Sequence, residues 1–140
     1  MKVFEKNEGT GSWGNRMNFI DSNNLVVGYD YSQSCCEEFY WYASYDECTK
    51  DEDILVQDEW DDTSNKVADL PAIPLDDDEL YFDKSYNRLF EDRDVNGVQF
   101  RILGGEKPIY LMLVNSHNGY YGHGFELSDS EGSVIFEGTL

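Results

Sequence analysis

The chain has 140 residues, enough for one domain to bury a core without disulfide staples. With 40% hydrophobic and 15% aromatic residues its composition is globular, which excludes a disordered chain and favours strands over helices. The net charge of −19, from 29 acids against 10 bases, disfavours direct binding to nucleic-acid phosphates.

The opening Met1-Lys2-Val3-Phe4-Glu5-Lys6 brings a polar residue too early for a secretory signal. The longest apolar run, residues 109–114, is far too short to span a membrane. Three cysteines, with Cys35 and Cys36 adjacent, fit a reducing compartment better than a disulfide framework. The expected setting is therefore cytoplasmic, away from membranes.

Residues 2–6 predict a first strand, followed by a polar, Gly-rich turn over 7–15. Residues 17–20 and 25–29 flank Asp21-Ser22-Asn23-Asn24 as a β-hairpin. Residues 39–45 are aromatic on both parities, so this strand is predicted to be covered on both faces or to line a groove. Between residues 46 and 83 lie 15 acids and only two bases, a local charge of −13. Apolar residues there come as islands without sustained periodicity, which predicts an acidic, loop-rich excursion over the surface. A short strand at 54–57 and a short helix at 63–70, capped by Thr63 or Ser64, are the elements expected there before residue 79.

Residues 79–83 predict a strand and Asn96-Gly97 a turn. Val98, Phe100 and Ile102 alternate with Gln99 and Arg101 as in a half-buried strand. After Gly104-Gly105, residues 109–114 predict a central strand. Asn118-Gly119 is a type I′ hairpin signal leading into 120–127, and Asp129 to Gly132 turns into 133–137. The predicted fold is one mainly β domain over 1–140, an antiparallel sandwich or incomplete barrel with a C-terminal four-stranded meander.

If Asn118-Gly119 forms a two-residue turn, Val114 pairs with His123 and Met112 with Phe125. His117, Tyr120, Asn115, Gly122 and Gly124 then share one face, and His123 lies on the other. That separates the two histidines, so no shared catalytic or metal pair is expected, and His123 reads as a hydrogen-bonded core residue. Gly122 and Gly124 leave a bare backbone track, which a covering aromatic ring or a ligand could occupy.

Other motifs dissolve on inspection of their context. Cys35, Cys36 and Cys48 lack the paired spacing of a structural zinc site, and Glu37 and Glu38 oppose thiolate formation. Gly9-Thr10-Gly11-Ser12-Trp13-Gly14 matches a dinucleotide fingerprint in letters but precedes a strand instead of a helix. Asp92-Arg93-Asp94-Val95-Asn96-Gly97 copies half an EF-hand loop, yet the twelfth position is Leu103. No cofactor and no metal follow from the sequence.

The acidic runs lead the functional reading. Asp58, Glu59, Asp61 and Asp62 around Trp60, with Asp76, Asp77, Asp78 and Glu79, could imitate a phosphate backbone and engage a basic protein, Trp60 acting as anchor. A solvated loop that only aids solubility is the plainer reading. The alternative function is a small-ligand-binding or metal-assisted hydrolytic β-domain using Asn115, His117, Tyr120, Gly122 and Gly124.

Two stretches resemble one family. Asn18-Phe19-Ile20-Asp21 through Gly28-Tyr29-Asp30 to Cys35-Cys36-Glu37, with His117-Asn118-Gly119-Tyr120-Tyr121-Gly122-His123-Gly124-Phe125, are similar to a family of small uncharacterised bacterial and phage proteins. The resemblance implies no activity, and the acidic middle segment is outside it.

Overall fold

The computed structural model describes residues 1–7, 14–32, 38–57, 66–92, 94–116 and 122–140. Within them lie nine strands: β1 (Lys2–Asn7), β2 (Asn15–Ile20), β3 (Val26–Asp30), β4 (Glu38–Ser44), β5 (Tyr81–Glu91), β6 (Val95–Leu103), β7 (Ile109–Ser116), β8 (Gly124–Ser128) and β9 (Val134–Thr139). They form two antiparallel sheets, one ordered β1-β2-β3-β8-β9 and the other β4-β7-β6-β5. The molecule is a sandwich and not a closed barrel.

Alternation along each strand builds the core between the sheets. Phe19, Val27, Tyr29, Phe125 and Leu127 come from the five-stranded sheet, and Val98, Phe100, Ile102, Leu111 and Leu113 from the four-stranded one. The β2–β3 hairpin is as expected, with Phe19 opposite Val27. Asp21 fixes its turn: Oδ1 accepts from the Asn23 and Leu25 N–H groups, both at 2.8 Å. Its second oxygen takes the Phe82 N–H, also at 2.8 Å, and so ties the turn to the start of β5 in the other sheet.

The C-terminal strands run in meander-like order, β5-β6-β7 and then β8-β9. The step from β7 to β8 nevertheless changes sheet. β7 pairs with β4 and β6, while Phe125 pairs with Tyr29 and Gly138. The expected pairings of Val114 with His123 and Met112 with Phe125 are therefore not made; Asn118-Gly119 lies outside the described residues.

Asn96-Gly97 is likewise not a turn. Both residues sit inside β6, paired with Glu91 and Phe90, and the hairpin closes earlier where the Asp92 N–H donates to the Val95 carbonyl. Gly97 sits in a close-packed spot, where a Cβ would lie 3.3 Å from Met112 Cε. Gly104-Gly105 does break the chain as expected. Gly104 has φ of +101°, and a Cβ on it would collide with the Glu79 carbonyl oxygen.

Candidate functional site

The middle segment is loop-rich as expected, with two 3-10 turns, Asp51–Asp53 and Val67–Asp69, and its described residues form a strap across the sandwich. Residues 46–57 and 66–70 lie over the outer face of the four-stranded sheet, and their apolar islands are its anchors. Cys48 and Ile54 join Tyr40, Tyr42, Phe90, Met112 and Val114 in a second buried cluster, with Leu55, Val67 and Leu70 against its rim. β7 is therefore covered on both faces, which explains an unbroken apolar run where alternation would otherwise appear. The same holds for β4, whose Phe39, Trp41 and Ala43 pack on the main core while Tyr40 and Tyr42 face the strap.

Polar contacts pin the strap in addition to the apolar ones. Tyr40 donates to the Leu55 carbonyl at 2.7 Å, and Tyr42 accepts from the Leu55 N–H at 3.3 Å. Burial pushes the Tyr42 phenol up to about 12, and Tyr40 is raised for the same reason. Gln99 holds the strap through its backbone. Its Oε1 accepts the Cys48 N–H at 2.9 Å and its Nε2 donates to the Cys48 carbonyl at 3.0 Å, so one side chain replaces a strand neighbour. Nε2 also reaches Tyr86 Oη at 2.8 Å, and Tyr86 donates onward to Glu47.

Gln99 is a correction to the half-buried reading of β6. It is fully buried, because the face taken for solvent is the face the strap covers. Tyr86 reaches it from a β-bulge: Phe82 pairs with Ile102 and Asn87 with Phe100, so residues 83–86 stand opposite Arg101 alone. Nearby, Asp83 Oδ2 accepts from Arg101 Nε at 3.0 Å and Nη2 at 2.6 Å. Hydrogen bonds from Ser85 and then from Arg101 hold the Asp83 carboxyl below the usual carboxylate range. Residues 54–57 form no strand, and the described part of the expected helix at 63–70 holds a single 3-10 turn over Val67–Asp69. The proposed caps Thr63 and Ser64 lie outside the described residues.

With apolar side chains turned inward, the strap's charges turn outward. Asp46, Glu47, Asp51, Glu52, Asp53 and Asp69 are all exposed, against Lys50 and Lys66 of opposite sign. The second acidic run, Asp76, Asp77, Asp78 and Glu79, forms an exposed turn between buried Leu75 and Leu80. It stands at the end of the sheet where β4 finishes and β5 begins. The ion pairs Arg16–Glu126 and Arg101–Asp83 lie elsewhere. Asp58, Glu59, Trp60, Asp61 and Asp62 are outside the described residues.

The opposite outer face, on the five-stranded sheet, is finished differently. Arg16 lies across bare Gly28, where a Cβ would collide with its guanidinium, and reaches Glu126 two strands away at 2.7 Å. A shallow groove of about 350 Å³ opens beside this pair, lined by Asn15, Asp30, Glu137 and Gly124. Gly124 is exposed with open space where a Cβ would stand, whereas a Cβ on Gly122 would come 2.6 Å from Thr139 Cγ2. Asn115 is elsewhere, buried on β7 with its Nδ2 donating to the Leu140 carbonyl at 3.1 Å. His117 and Tyr120 lie outside the described residues.

His123 is the hydrogen-bonded core residue that the sequence predicts. It is 2% exposed, its Nδ1 lies 2.8 Å from the Asp30 carbonyl oxygen, and its ring stacks on Phe39 at 4.6 Å. The sequence reading missed Arg16 and Gln99. A glycine inside the Val27-Gly28-Tyr29 strand is the one available signal for the first. Among the described residues no group of three or more His, Cys, Asp or Glu is placed to hold a metal ion. No helix there is long and apolar enough to cross a membrane.

Comparison with family models, with curated proteins and with solved structures finds no match to this chain.

Proposed function

We propose that this is a non-catalytic interaction protein whose acidic strap engages a basic protein, in the manner of a nucleic-acid mimic. The observation that supports it is the strap's orientation. Cys48 and Ile54 anchor it inward while Asp46, Glu47, Asp51, Glu52 and Asp53 all face solvent. Carboxylates held on a packed layer keep their spacing, so a partner meets a fixed charge pattern and not a mobile tail. Asp76 to Glu79 extends that pattern at the end of the sheet.

The test is binding of a nine-arginine peptide across a salt series, comparing two charge-matched triple variants. Neutralising Asp51, Glu52 and Asp53 together (D51N/E52Q/D53N) is expected to weaken binding several-fold more than E5Q/E131Q/E137Q, whose exposed acids lie elsewhere. Equal losses from the two variants would leave only bulk charge and end the proposal.

A second reading has its own observation, the bare Gly124 beside Arg16 in the outer groove. A small polar ligand seated there would be lost on Gly124→Val, which fills the groove from an open position, while the strap variants would leave it unchanged.

A further inference from the structure

At the end of the sandwich, the acidic turn and the Gly104-Gly105 turn face each other across a cleft of about 340 Å³. That volume is at the small end of ligand pockets. Leu80, Ile109 and Pro74 supply apolar lining, and Tyr45 lines the cleft as well. Tyr45 is the residue after β4, and it is 44% exposed, whereas Tyr29, Tyr40 and Tyr42 are buried. Asp76, Asp77 and Glu106 stand at the rim. Close packing of Gly104 on the Glu79 backbone, where even a Cβ does not fit, sets the distance between the two walls.

The cleft already receives one cation from the chain itself. Lys107 places its Nζ 5.6 Å from the centroid of the Tyr45 ring. An aromatic face attracts a cation through its quadrupole, most strongly when carboxylates nearby complement the charge and apolar walls limit water. An acidic surface alone has no means to select a side chain. A ring beside apolar lining does, because it accepts the flat guanidinium and the methylene stem together.

We infer that this cleft is an anchor slot for a single arginine side chain of the basic partner, which stacks on Tyr45 in the place Lys107 now takes. The inference rests on the acidic-surface reading above and adds the contact that gives it selectivity. Asp76 and Asp77 then accept from the guanidinium, and Lys107 swings out into solvent. Lys107 is thus a built-in competitor for the slot.

The experiment uses the full chain and two peptides, nine-arginine and nine-lysine, at fixed ionic strength. Wild type is expected to prefer the arginine peptide, and Tyr45→Ala is expected to weaken that peptide about threefold or more while Tyr45→Phe retains it. Lys107→Gln is expected to tighten binding more than Lys84→Gln, which removes an equal charge from an exposed site on β5. Thermal melting of each variant reports that the fold is intact. If Tyr45→Ala and Lys107→Gln match their controls while D51N/E52Q/D53N still weakens binding, the slot is wrong and the acidic surface stands. If none of these variants differs from its control, both readings fall.

Discussion

The two outer faces of the sandwich solve one problem in opposite ways. The five-stranded sheet finishes its middle by itself: Gly28 on β3 and Gly124 and Glu126 on β8 alternate with core residues, and Arg16 crosses Gly28 to pair with Glu126 in the open. The four-stranded sheet is apolar on both sides and relies on a separate segment to cover Tyr40, Tyr42, Phe90, Met112 and Val114. A sheet that is finished locally can be read from its own alternation. One that is covered from a distance cannot, because the cover lies elsewhere in the sequence. The difference also sorts the charge, since half of the described positions of the covering segment that do not anchor it carry an acid.

The contrast can be broken most forcefully at Ile54, which is 3% exposed within the strap. Ile54→Ala is expected to cost about 2–5 kcal/mol. Hydrogen exchange should show amides near 48–57 losing protection before those of β3 and β8. Simultaneous loss everywhere would mean that the strap is not a separable layer. Gln99→Leu is next, expected to cost about 1–3 kcal/mol in denaturant melts, because the Cys48 N–H and carbonyl lose their partner under the strap.

The two ion pairs extend the comparison with a pH arm. Asp83 has its carboxyl held below the ordinary range, so it binds its proton more weakly folded than unfolded. Its contribution is complete above the unfolded carboxylate value of about 4 and fades as pH falls through the lower folded value. The stability gap between wild type and Asp83→Asn should accordingly be constant near neutrality and shrink in acid. Glu126→Gln, at a pair exposed by about a third on each side, should show a smaller gap at every pH. The smallest effect is expected at Gly28→Ala, under about 1 kcal/mol, because only the tip of the Arg16 side chain must move. A larger loss would mean that the open face is as tightly fitted as the covered one.

Much of the fold is legible from local pattern. The β2–β3 hairpin, a central strand at residues 109–114 and the Asp129 turn follow from alternation, an unbroken apolar run and turn chemistry, the strand running on to Ser116. Aromatic residues on both parities of β4 correctly foretell two covered faces. The failures share a physical cause, a partner distant in sequence. Nothing near Gln99 signals that Cys48 will cover it, and nothing near Gly97 signals that Met112 approaches so closely. The change of sheet after β7 is also invisible, since an apolar strand suits β4 as well as β8. At the candidate site, the acids are obvious in the sequence, but their common outward direction depends on the anchors at Cys48 and Ile54.

Having the anchors and the carboxylates on one segment has a consequence for the life of the molecule. A protease that cuts the strap and frees it strips away an electrostatic coat and uncovers a greasy patch in a single event. The clipped remnant would keep less negative charge just when it gained a surface prone to clumping. Integrity of this layer is thus an all-or-none property, and partial damage should appear as precipitation and not as a gradual decline in binding.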